Sequence, residues 1–210
     1  MSQIKSELKI MGVNPILILS ALVAVFATLS IFAGELLTLS YIGFEVIFPF
    51  FAAMSVGEWG KLRADDNYDV IAAQGRSLFS WVCYRFMAVF VTVSLFALLS
   101  MAIVSYGRNE IPLWEMVLIY IPPALFLSTL TVFFNLHYTQ EHISTLTCGI
   151  IWLITMLIKS LLRFPGVEYV YLFIRYAGDQ NGIWLTNKAV LFIICIVMWG
   201  GVYLSCKKQS

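Results

Sequence analysis

"EWGKLRADDNYDVIAAQGRSLFSWVCYRF", residues 58–86, gathers four acids (Glu58, Asp65, Asp66, Asp69) and four bases (Lys61, Arg63, Arg76, Arg85) in an otherwise apolar chain. It lies between two long hydrophobic runs, so its meaning depends on what those runs are. Of 210 residues, 60% are apolar and 12% charged, and the mean hydropathy is +0.88. Soluble domains carry about 25% charged residues. The expectation is an all-α, polytopic integral membrane protein with one membrane domain, because helices pair their backbone polar groups internally in lipid. The net charge of +1 gives no reason to expect nucleic acid as a partner, and no Lys/Arg cluster with interleaved aromatics suggests one.

Ionisable groups cost a few kcal/mol each at the bilayer centre, so charge-free windows mark the spans. Six are predicted, at about residues 15–33, 36–57, 86–106, 116–136, 143–158 and 189–206, with Glu45 interrupting the second. An even number puts both termini on one side. Lys5, Lys9, Lys61, Arg63, Arg76, Arg85, Lys207 and Lys208 share that side, against Arg108, Lys159, Arg163, Arg175 and Lys188 opposite. Basic residues favour the cytosol, so both termini and the 58–85 loop are expected there. The run after Lys9 is longer than the apolar core of a cleaved signal peptide, which favours a retained signal-anchor helix. Before it, Ile4, Leu8 and Met11 recur at helical spacing among Lys5, Glu7 and Lys9, as suits an interfacial helix over about residues 1–14. A frayed tail is the plainer reading.

Within the opening stretch, Asp65 or Asp66 can cap a helix N-terminus, Asp69 complements the dipole, and Gly75 stops the run. A short cytosolic helix over 65–73 follows. Asn67 lies in its first turn, while Tyr68, Val70 and Ile71 are larger apolar groups than a solvated helix needs. Such a face rests on the bilayer surface or docks into another protein. The three acids argue mildly against anionic lipid.

The order of these features resembles the permease subunit of the ABC type-2 exporters. The features are an amphipathic N-terminal helix, two spans, a Glu-led loop (Glu58, Gly60) with a short helix, the "QGRS" turn at Arg76, then four more spans. The family's frequent Pro before that Arg is absent, with Gly75 in its place. The resemblance implies that residues 65–71 form a coupling helix seated in a cytosolic ATPase, flanked by Glu58 and Arg76. The chain has no Gly-x-x-x-x-Gly-Lys-Ser/Thr loop. ATP and Mg would therefore be bound by a partner subunit, with no cofactor in this chain. A second permease, identical or related, an amphipathic substrate and a location in the bacterial cytoplasmic membrane are also implied.

The same family dips an external segment back toward the membrane between the fifth and sixth spans. Residues 159–188 fit: Pro165 and Gly166 break the chain, "VEYVYLFIRY" is too short to cross, and "GDQNG" turns it back. A re-entrant or interfacial segment is one expectation; the other is an aromatic belt in which Tyr169, Tyr171, Tyr176 and Trp184 only anchor the helix ends. Glu45 must face the bundle interior and find a cation or a proton. With Phe48, Pro49 and Phe50 it is a candidate for the transport pathway; the alternative is an inter-helix bond that fixes packing. Pro122 and Pro123 point more to packing than to function.

Enzymatic motifs are sparse. His137, Glu141 and His142 invite a metal site but lack the further ligands that one needs, and no metal is expected. There is no Gly-x-Ser-x-Gly elbow, and the four cysteines show no paired spacing. A membrane permease subunit is thus the leading expectation, ahead of a scaffold or regulatory subunit and an intramembrane enzyme acting on lipid.

Overall fold

The computed structural model describes residues 14–32, 40–59, 78–107, 112–138, 140, 142–178 and 182–209. Charge-poor runs form helices because no other open structure hides the backbone from lipid. The long helices are α1 (Asn14–Phe32), α2 (Phe48–Trp59), α3 (Leu78–Gly107), α4 (Leu113–His137), α5 (Ile143–Leu157) and α6 (Trp184–Gln209). No strand occurs among the described residues. Three helical stretches, Leu78–Tyr106, Leu113–His137 and Trp184–Lys208, are long and apolar enough to cross a membrane; Ile16–Leu29 and Ile143–Leu157 are shorter apolar helices. The described residues thus form the all-helical framework of an integral membrane protein.

Two of these helices start earlier than the charge-free windows predict. α3 begins at Leu78 rather than near Phe86, and α6 at Trp184 rather than near Ala189. In each case the window stopped at a cation that the fold buries. Arg85 is 6% exposed, with its guanidinium 4.9 Å from the centre of the Trp81 ring, and Lys188 is 2% exposed. Residues 78–85 thus belong to a helix and not to the loop predicted over 58–85, and residues 184–188 belong to α6 and not to the segment that precedes it.

α2 is entered through a π-helical turn, Ile42–Ile47. Pro49 supplies the cause, since it has no N–H and its ring crowds the carbonyl four residues back. The wider turn relieves that crowding, with the Phe48 N–H bonded to the Gly43 carbonyl. The Trp152 indole, from α5, donates to the Val46 carbonyl at 3.0 Å. The close fit of α1 requires Gly43, because a Cβ there would lie 2.2 Å from the Phe26 ring.

The core has two parts. In the first, Phe26 of α1 packs on Phe44 and Phe48 at ring separations of 5.8 and 5.3 Å, continuing into buried residues of α3 and α4. In the second, Tyr171–Ile174 pack among Val46, Ala53, Leu127, Cys148 and Leu191. The polypeptide between α5 and α6 contains 3-10 turns at Lys159–Arg163 and Val167–Tyr169, then the one-turn helix Ile174–Ala177. It is drawn inward against α2, α4, α5 and α6 by those four side chains. Cys83, Cys148, Cys195 and Cys206 are free thiols.

Candidate functional site: two polar ends of the bundle

Polar and charged groups collect at the two ends of α2. One cluster surrounds Glu45 in the π turn, and the other surrounds Glu58 near the C-terminal end; the rise between them is roughly 20 Å along the helix.

At the first end Glu45 is completely buried. Its Oε1 accepts from Lys188 Nζ at 2.5 Å and from the Arg175 backbone N–H at 3.2 Å, while Oε2 accepts from the Tyr176 N–H at 2.6 Å. The two amides lie in the first turn of Ile174–Ala177, where helix N–H groups have no partner within the helix. Lys188 also donates to the Leu172 carbonyl at 3.1 Å. Asn187 Nδ2 donates to the carbonyls of Glu168 and Tyr171, both at 2.8 Å. One α6 turn and one carboxylate of the π turn therefore hold the backbone of residues 168–176 from two sides.

Arg175 extends this cluster. Its guanidinium pairs with Glu115 in the first turn of α4, donates to the Tyr41 hydroxyl at 2.7 Å, and lies 4.9 and 5.1 Å from the centres of the Tyr41 and Trp184 rings. Tyr171 is buried, and that burial, with Glu45 and Tyr176 adding to it, pushes its phenol up to about 12. It stays protonated and donates to the Thr155 carbonyl at 2.8 Å.

Of the other pathway candidates, Phe48 is fully buried against Phe26 and Phe44, and Phe50 packs on Trp152 at 4.3 Å. Pro49 is the second residue of α2. Glu45 and Phe48 are both fully buried in the packed interior. The arrangement resembles the inter-helix bond weighed for Glu45 in the sequence, with an ion pair added. Its partners Lys188 and Arg175 were legible only as loop cations, although each lies next to a short polar signal: "NK" at the head of α6, and "IRY" before the "GDQNG" turn.

At the second end, Glu58 Oε1 is 2.9 Å from His142 Nδ1 and accepts from Thr145 Oγ1 at 3.2 Å. His142 precedes α5 with φ of 66°, a left-handed conformation uncommon for a side chain with a Cβ. Such strain persists where surrounding contacts hold it. Ser144 bonds to Asn135, which ties the start of α5 to the end of α4. Gly57 gives the clearance, as a Cβ there would come within 3.0 Å of Thr145 Oγ1. His137 Nδ1 lies 2.8 Å from the Phe133 carbonyl. The remaining expected coupling residues, Asp65, Asp66, Asn67, Tyr68, Asp69, Val70, Ile71 and Arg76, lie outside the described residues, as does the interfacial helix expected over 1–14.

No protein-family model, no curated protein and no solved structure matches the chain.

Proposed function

We propose that this chain is the membrane-spanning permease subunit of an ATP-driven exporter, with six spans and both termini in the cytosol of a bacterial cell. The observation that carries the reading is the Glu58 contact. The acid that opens the 58–77 stretch is joined to His142 and Thr145, so a force on that stretch would reach α2, α5 and, through Ser144 and Asn135, α4 together. An ATPase that closes on ATP needs such a rigid linkage. The 65–73 segment is the coupling helix in this reading, held by a separate ABC ATPase that binds ATP and Mg. Two permease copies, or this chain with a related one, rock against each other to move an amphipathic substrate such as a peptide, lipid or drug outward from the bilayer.

The Glu45 cluster has the complementary task. It pins residues 168–176, proposed as the re-entrant or interfacial segment of the outer end, to α2, α4 and α6. That segment then moves with the bundle as one body, and Glu45, Phe48, Pro49 and Phe50 shape its seat.

The test is co-purification with the ATPase from the same cells. Wild-type protein retains the ATPase, and the combined variant Asp66→Ala, Tyr68→Ala and Val70→Ala loses it while still folding. Retention by that variant would overturn the coupling reading. Glu58→Gln provides a second check. Because the pair is half exposed, its loss should change stability by less than about 1 kcal/mol. Stimulation of ATP hydrolysis by the permease should nevertheless fall; unchanged stimulation would remove Glu58 from the linkage.

A further inference from the structure

Between α3, α4 and α6 runs a groove of about 400 Å³, lined by residues that include Phe79, Cys83, Phe86, Phe192, Ile196 and Trp199, with Leu125 at the α4 side. No charged side chain lines it, and its volume falls within the roughly 300–1,000 Å³ of small-molecule sites. Phe86 and Cys195 form a buried floor, while Met87, Phe192 and Ile196 at its lips are about half exposed, so the groove opens sideways out of the bundle. Aromatic pairs join α3 to α6 along it: Phe86 meets Trp199 edge-on at 4.9 Å, and Phe79 meets Tyr203 edge-on at 5.2 Å. Both α3 and α6 contain stretches long and apolar enough to cross a membrane, and in that setting the groove opens to lipid.

The groove also has a direction. On α6, Phe192, Ile196, Trp199, Tyr203 and Lys207 follow one another at spacings of three or four residues and so share a face. Their order runs from apolar residues through an exposed phenol to the basic last turn, where Lys207 and Lys208 both face solvent. An apolar slot with a phenol one helical turn beyond its last lining residue, Trp199, and ammonium groups about two turns beyond it matches an acyl chain followed by an anionic headgroup. Basic groups at a membrane surface attract anionic lipid.

We propose that this groove is a binding site for one acyl chain of an anionic phospholipid, whose headgroup lies at Tyr203 and the Lys207–Lys208 turn. The bound chain fills the seam between α3 and α6 that side chains leave open. A second copy of the protein seated on the same face would exclude it, so the two occupants are separable.

The experiment reconstitutes the full chain with phosphatidylglycerol carrying a diazirine in its acyl chain, irradiates, and maps adducts by mass spectrometry. Phosphatidylcholine with the same labelled chain is the comparison. Adducts are expected to concentrate on residues 79–87 and 192–199, severalfold more from phosphatidylglycerol. Cys83→Trp, which fills the groove, should reduce them severalfold. Lys207→Gln with Lys208→Gln should bring the phosphatidylglycerol yield down to that of phosphatidylcholine, and these surface changes leave the packed core intact. Adducts spread equally over outward positions such as Leu95, Leu99, Ile193 and Val197 would overturn the proposal. So would equal yields from the two lipids, or protection of the groove by a second copy.

Discussion

Glu45 and Lys188 meet where neither reaches water, and each leaves the other stranded if removed. Breaking a buried pair from one side typically costs about 3–5 kcal/mol, whereas replacing both members by apolar groups of similar volume is often tolerated. Glu45→Gln and Lys188→Met are each expected to destabilise the protein by about that amount. The double variant should recover a large part of the loss, read from denaturant unfolding in detergent micelles. Additive losses would show that the two side chains act independently. Glu45→Gln should also free the Arg175 and Tyr176 amides to exchange hydrogen faster, because a neutral amide is a weaker acceptor for them than a carboxylate. Unchanged exchange at those two amides would count against the carboxylate as their restraint.

The turn that presents Glu45 depends on neighbours in the chain and in space. Pro49 widens the helix into a π turn, and Gly43 lets the Phe26 ring lie against it. Gly43→Leu should therefore cost at least the 1–3 kcal/mol typical of overpacking, roughly, and Phe26→Ala in the same chain should return part of it, by the same unfolding measurement. The sequence shows part of this construction. Its charge-free runs locate the helices, since lipid penalises charge wherever it falls, and Glu45 stands out as a carboxylate that must find a partner. That partner was not legible, because Lys188 lies 143 positions away and a window that counts charges registers their cost without seeing their pairing. The same blindness shortened α3 at Arg85 and α6 at Lys188. The Glu58–His142 contact was equally hidden: both residues were visible, but a one-dimensional reading placed one at the head of a coupling loop and the other among too few ligands for a metal site, with nothing to join them.

Taken together, the helices carry one polar cluster at each end of α2 and an apolar middle, and the proposed function assigns opposite sides of the membrane to those ends. That assignment rests on basic residues around 58–85 and on the resemblance to exporter permeases. The direct measurement is thiol labelling in intact cells, with the four native cysteines replaced and a single cysteine placed at Tyr68 or at Asn109. A membrane-impermeant maleimide is expected to label Tyr68→Cys only after the cells are permeabilised, and Asn109→Cys before it. Labelling of Tyr68→Cys from outside in intact cells would place the 65–73 segment away from any cytosolic ATPase and contradict the permease reading.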